Sequence, residues 1–234
     1  MTLRIENMTA GYGGSIVLRD LSFEIGSNEI VTILGRNGSG RSTTCKAIMS
    51  LLPKQGRVTL DGVELSRMDS HKVARAGVCY VPEEREVFKK LTVEENLVLG
   101  QMPPHDGRPT WQMNELYDLF PRLRERRNVL AGNLSGGEQQ MLTMFRSMLG
   151  NPKVLLVDEP TEGLAPMIVE RVRETILELK RRGTSILLLE QKLAMALDIA
   201  DRVLVMGHGH IVFSGTVSEF RQDGSIRQTW LEVA

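Results

Sequence analysis

Apolar residues along this chain fall into short dense runs near both ends and into helical spacing in the middle. Residues 3–8, 16–25 and 30–34 are rich in strand formers and are broken by glycines at 11–14 and at Gly26. The run Ile30-Val31-Thr32-Ile33-Leu34 is almost continuously apolar, the pattern of a strand covered on both faces. A glycine-rich loop follows, and the spacing then predicts a helix from Ser42 to about Leu52, stopped by Pro53. Residues 58–60 and 78–81 read as short strands. From about Glu83 to Gly150 the period becomes helical. Residues 92–99 and 110–120 are predicted helices, separated by the breakers Pro103-Pro104 and Asp106-Gly107, and another helix opens after Leu134-Ser135-Gly136-Gly137. The last third alternates strand 154–157, helix 166–182, strand 185–190 and helix 192–200. Two short strands, 203–206 and 210–213, then flank a turn at 207–209. Strands and helices alternating in this way predict the α/β class with parallel layering. Residues 1–82 and 151–234 read as the α/β core of a single domain, and about 83–150 as an inserted helical subdomain.

Composition changes this picture little. At 234 residues, with 41% hydrophobic and 25% charged positions, the chain suits one large folded domain. Lys plus Arg number 29 and Asp plus Glu number 29, so bulk charge gives no reason to expect a nucleic-acid or membrane-surface partner. Two isolated cysteines, Cys45 and Cys79, form neither a disulfide framework nor a metal cluster and suit a reducing interior. The start of the chain does not read as a secretory signal, and no apolar stretch approaches the ~18–20 residues of a membrane-spanning helix. The expectation is a cytosolic protein whose membrane role, if it has one, comes through a partner.

The chemistry begins where the apolar strand meets the glycine loop. Gly35-Arg36-Asn37-Gly38-Ser39-Gly40-Arg41-Ser42, with Thr43 after it, sits between strand and helix, the context a phosphate-binding loop requires. Its glycines let successive N–H groups turn inward, toward the same spot that the positive end of the following helix faces. Ser42 would place a hydroxyl on Mg²⁺. Arg41 stands where this motif calls for lysine. A lysine ammonium fits inside the loop and reaches the β- and γ-phosphates of ATP, whereas a planar guanidinium has a different shape and the two are not interchangeable. Nucleotide is expected to bind through the backbone amides, with turnover impaired. Val154-Leu155-Leu156-Val157-Asp158-Glu159 is a second apolar strand, ending in two carboxylates. Such a strand end belongs at the ligand crevice of an α/β sheet, with Asp158 toward Mg²⁺ and Glu159 polarising an attacking water.

Leu134-Ser135-Gly136-Gly137-Glu138-Gln139-Gln140 resembles the signature motif of ABC ATPases, and the resemblance covers essentially the whole chain. It implies a phosphate-loop ABC ATPase fold with an N-terminal antiparallel β subdomain and the helical subdomain inserted. It implies a head-to-tail dimer in which residues 134–138 act on the partner's nucleotide. Tyr12 matches the residue on which adenine stacks. Glu83 aligns with a loop position usually held by glutamine, where it would lie near the metal, and Gln191 aligns with a switch position usually held by histidine. With Thr92-Val93-Glu94-Glu95-Asn96-Leu97 and Glu162-Gly163-Leu164-Ala165-Pro166, the pattern looks like the smaller ATPase (the LivF type) of branched-chain amino-acid importers. Ala165 departs from the aspartate common in the wider superfamily. The implied function is ATP binding and hydrolysis, driving import through integral-membrane permease subunits at the inner face of the cell membrane. The dimer is with itself or with a paralogous ATPase, and nucleic acid is not a partner. The alternatives are a nucleotide-binding subunit whose hydrolysis Arg41 impairs, or a subunit of a urea or short-amide importer.

Other features read as structural. Met141, Met144 and Met148 predict core packing, and His208-Gly209-His210 a surface turn. The basic run Arg122, Arg124, Arg126 and Arg127 reads as a solvated helix end. Arg171, Arg173, Arg181 and Arg182, interleaved with Glu174 and Glu178, read as a solvated helix face with Glu178 and Arg182 at pair spacing.

Overall fold

Three strands that are apolar at all but one position each lie side by side in one sheet and are buried along their whole length. They are seen in a computed structural model that describes residues 2–103 and 110–231; the predicted breakers Pro104 and Asp106-Gly107 lie outside the described residues. The chain opens with β1 (Leu3–Tyr12) and β2 (Ser15–Ile25), an antiparallel pair, followed by the buried β3 (Ile30–Leu34) and helix α1 (Arg41–Ile48). Next come β4 (Lys54–Leu60), β5 (Val63–Glu64), α2 (Ser70–Ala76) and β6 (Val78–Val81). The middle holds α3 (Val93–Val98), α4 (Met113–Leu119), α5 (Pro121–Glu125) and α6 (Gly136–Met148). The last third runs β7 (Val154–Asp158), α7 (Pro166–Arg181), β8 (Ser185–Leu189), α8 (Leu193–Ile199), β9 (Arg202–Gly207) and β10 (His210–Thr216). Two short helices, α9 (Val217–Gln222) and α10 (Gly224–Trp230), follow.

The strands form two sheets. An antiparallel sheet has the order β2-β1-β4-β5, and a larger sheet has the order β10-β9-β3-β8-β7-β6. In the larger sheet β6, β7, β8, β3 and β9 are parallel, and only β10 joins antiparallel. Covering both faces of a parallel sheet demands apolar residues at every position, which is why β3, β7 and β8 lack alternation. One hydrophobic cluster lies between this sheet and α3–α7, and includes Met141, Met144, Phe145 and Met148. A second joins the two sheets around α1, and Cys45 is part of it.

Several element bounds differ from expectation for local reasons. α1 ends at Ile48, four residues before the expected end, because Ser50 takes a left-handed backbone (φ 56°) that stops the helix before Pro53. α4 starts at Met113 because the Gln112 N–H donates to Glu115 in a capping box, placing the start after residue 110. β5, α2, α5, α9 and α10 are short elements outside the expected set.

The arginine runs are largely solvated, as expected, with Arg122 and Arg181 both exposed, but some of their members also hold partners. Arg122 and Arg126 place their guanidinium groups 3.2 and 3.3 Å from buried Glu138, so this part of the run is a clamp on α6. Arg182 pairs with Glu178 at 2.9 Å, as the spacing predicted, but it also bonds Glu115 and stacks 3.8 Å over the Trp111 ring. That side chain ties the end of α7 to α4 as well as covering a helix face.

Candidate functional site

Parallel pairing brings the ends of four strands to one rim. Ile33 pairs with Leu189, Asp158 with Leu189, and Val81 with Val157, so the segments after β3, β6, β7 and β8 all open on the same edge. A cavity of about 430 Å³ lies there. The glycine loop and the start of α1 contribute Asn37, Gly38, Gly40, Arg41, Ser42 and Thr43. The other strand ends contribute Glu83, Glu159, Glu162 and Gln191, and Val17 comes across from β2. Gly35, Arg36 and Ser39 belong to the same loop but line neighbouring recesses. Tyr12 is 46% exposed at the end of β1 and is not among the residues lining this cavity.

The loop keeps its shape for steric reasons. A Cβ at Gly35 would sit 2.7 Å from the Met206 carbonyl oxygen, and Gly40 has φ 110°, which a side chain would strain. Gly40 is the N-cap of α1, and no side chain caps that helix, so its first N–H groups face the cavity unpartnered by a cap. An anion is the ligand such a terminus favours.

Arg41 is buried (6% exposed) and reaches across the cavity. Its Nη2 lies 2.5 Å from Glu159 Oε1 and 3.3 Å from Asn37 Oδ1. Its Nη1 is buried without a hydrogen-bond partner, as is Ser39 Oγ. A buried guanidinium with a free N–H is costly unless an acceptor arrives. Asp158 accepts from Ser42 Oγ at 3.1 Å and from the Tyr80 hydroxyl at 3.0 Å. Burial pushes the Asp158 carboxyl above its ordinary range, with Glu83 adding in the same direction.

Glu159 follows with a left-handed backbone (φ 45°), its N–H bound to the Leu189 carbonyl and its Oε2 accepting from the Gln191 N–H at 3.2 Å. Burial pushes its carboxyl up to about 7; Arg41 opposes the rise, and Glu190 and Asp158 add to it. Glu190 is fully buried and accepts from Thr161 Oγ1 at 2.7 Å and from the N–H groups of Gln191 and Lys192 at 3.0 Å.

The donor set fits a hard divalent cation. Ser42 Oγ and Asp158 Oδ1 already converge, and acidic side chains outnumber Arg41 around them. Among the described residues no group of three or more His, Cys, Asp or Glu forms a site by itself. That agrees with an ion that takes one or two protein oxygens and completes its shell with phosphate and water.

Residues 134–138 lie apart from this cavity. Ser135 is the N-cap of α6. Its Oγ accepts from the Glu138 N–H at 3.4 Å, and its own N–H donates to Glu138 Oε2 at 2.8 Å. Burial works against the Glu138 charge, but Ser135, Arg122 and Arg126 together hold the carboxyl below its ordinary range. Leu134 is buried, Ser135 is exposed, and a Cβ at Gly137 would lie 2.9 Å from Ile168. The capped terminus of α6 is therefore exposed at Ser135 and takes no part in lining the cavity.

Sequence reasoning missed Val17, Tyr80, Thr161 and Glu162, and gave Glu190 no role. Tyr80 and Glu190 could have been found, since both sit at strand ends whose neighbours had been singled out. Val17 is placed only by the packing of one sheet against the other.

The family model for ABC transporters matches residues 18–162. A high-affinity branched-chain amino-acid transport ATP-binding protein, BraG of Pseudomonas aeruginosa, is 39% identical over 98% of this chain and 99% of its own length. A probable branched-chain amino-acid transport ATP-binding protein, LivF of Archaeoglobus fulgidus, is 36% identical over 93% of each chain. The lipopolysaccharide export system ATP-binding protein LptB of Haemophilus influenzae is 32% identical over 98% of this chain and 96% of its own. Among solved structures, the ADP conformation of MJ1267, an ATP-binding cassette of an ABC transporter, superposes with a TM-score of 0.82 at 26% identity, covering 97% of this chain and 98% of that one.

Proposed function

Because the chain belongs to the ABC transporter family as an ATP-binding, ATP-hydrolysing subunit, we propose that its ATP cycle drives import of branched-chain amino acids through membrane-embedded permease subunits. BraG and LivF, both named for branched-chain amino-acid transport, support that solute; the importing direction is part of the proposal. No helix among the described residues is long and apolar enough to cross a membrane, and in this reading other chains supply the pore. In this reading the subunit is held at the inner face of the cell membrane by those permeases. Residues 1–82 and 151–234 form the nucleotide-binding core, and about 83–150 the helical subdomain that carries the signature.

One observation carries the mechanism: a single cavity joins the uncapped start of α1, the buried Arg41 and the Asp158–Glu159 strand end. Backbone N–H groups of residues 37–42 hold the triphosphate, and Tyr12 stacks on adenine. Mg²⁺, held by Ser42 and Asp158 with Glu83 close by, would offset charge on the β- and γ-phosphates when bound. Glu159 accepts a proton from the attacking water as its oxygen bonds to the γ-phosphorus and ADP leaves. A carboxyl near 7 is well matched to that exchange at neutral pH. Gln191 orients the γ-phosphate through its side-chain amide. Residues 134–138 of a second subunit close the site, because the chain's own copy is not among the residues lining it. That second subunit is a copy of this chain or a paralogous ATPase.

Arg41 supports a second reading, in which the chain binds nucleotide but turns it over slowly. Its guanidinium pairs with the carboxylate that should accept the proton. Calorimetric titration with ATP and Mg²⁺, combined with pull-down from native membranes, tests the proposal. The expected result is saturable binding and co-purification of hydrophobic subunits that take up branched-chain amino acids. Failure of ATP to bind, or recovery with lipid-exporting subunits instead, refutes it.

A further inference from the structure

Arg85 lies two residues beyond Glu83 and takes no part in the cavity lining, yet it touches two segments that do the chemistry. Its backbone is left-handed (φ 50°), a conformation that costs a non-glycine residue energy and persists only where the surroundings enforce it. Its Nη2 donates to the Glu162 carbonyl at 2.5 Å and would lie 3.6 Å from a Cβ built on Gly163. Its Nη1 would lie 2.5 Å from a Cβ on Gly136, the first residue of α6. The Glu162 N–H in turn bonds the Glu159 carbonyl at 3.2 Å, closing the turn that begins at the proposed base. The loop bearing Arg85 is anchored from the other side, where Arg146 donates to the Glu86 carbonyl and stacks 4.8 Å over the Phe88 ring.

We infer that Arg85 is a positioning residue that fixes the signature terminus of α6 relative to the Glu159–Glu162 turn. The planar fork is what the geometry uses, with one nitrogen on the Glu162 carbonyl and the other against Gly136. A methyl group at position 136 would meet the Arg85 guanidinium and push it off this contact. A shift in the loop at Glu83 therefore moves two things together: the wall of the chain's own cavity and the terminus that serves the partner's nucleotide. The inference rests on the reading that residues 134–138 act on a second subunit.

Steady-state ATP hydrolysis by the assembled chain tests it, in both the parent and the Arg41→Lys background. Arg85→Ala is expected to lower kcat about tenfold or more, the effect of losing one charge-assisted hydrogen bond, with KM for ATP within about twofold. Arg85→Lys, which has a point charge and no fork, should not restore the rate. Gly136→Ala should lower kcat alone but add nothing in the Arg85→Ala background, since both changes break the same contact. If Arg85→Ala does not fold, Arg85→Gln gives the same readings. An unchanged kcat, full rescue by lysine, or additive effects with Gly136→Ala overturn this inference alone. Absence of hydrolysis in both backgrounds overturns the transport ATPase reading, and this inference with it.

Discussion

A lysine at position 41 would place a compact ammonium inside the glycine loop, whereas the guanidinium of Arg41 spans from Asn37 to Glu159. Two consequences belong at this scale. Arg41→Lys should raise ATP turnover about a hundredfold, the usual worth of one well-placed electrostatic donor in a transition state. Equal rates in a coupled phosphate-release assay would show that the arginine does the lysine's work. The second concerns Glu159, whose carboxyl burial raises to about 7. A group raised in the folded state binds its proton more tightly there than in the unfolded chain. Its contribution to stability is therefore fully present below the ordinary carboxylate value and is lost as pH climbs through about 7. Turnover runs the other way, rising through the same range as the base ionises. Glu159→Gln should flatten the decline in thermal midpoint and abolish turnover; an unchanged slope would place the titration elsewhere.

Among the elements, α6 has the most invested in its start. Ser135 and Glu138 cap each other, Arg122 and Arg126 clamp Glu138, and Ile168 packs on Gly137. Ser135→Ala removes the cap and should cost about 1 kcal/mol in urea unfolding. In the proposed mechanism Ser135 acts on nucleotide in the second subunit, so its effect on ATP turnover should be far larger than that stability loss accounts for. Thr92, which caps α3 with Glu95 in the same pattern, is the control: Thr92→Ala should cost similar stability and leave turnover nearly intact. The signature and its capping were legible because both rest on residues within four positions. The clamp was not, since Arg122 and Glu138 are sixteen residues apart and meet only when α5 packs on α6.

For the whole molecule, the start of α1 lines the cavity and the start of α6 does not. The proposed mechanism therefore calls for a second subunit to bring Ser135 to the nucleotide. In sedimentation experiments, Glu159→Gln chains, which bind without turnover, should associate when ATP and Mg²⁺ are added. Ser135→Ala in that background should abolish the association. If the chain stays monomeric until a paralogous ATPase is supplied, the pair is a heterodimer; if it never associates, the head-to-tail arrangement is refuted.

The amino-acid order by itself determined the layout of the large sheet's centre and the identity of its loops. A strand apolar at every position must be covered on both faces, and the residues closing β3 and β7 announce a phosphate loop and a carboxylate pair. Only the tertiary structure decided where long side chains go: Arg41 onto Glu159, Arg85 between two loops, Arg182 over Trp111. A guanidinium at the end of a flexible stem can reach partners far away in sequence, so its target depends on which elements pack beside it. The raised carboxyl of Glu159 has the same origin, because burial and crowding by Glu190 are properties of the assembled rim and not of the Asp158-Glu159 pair.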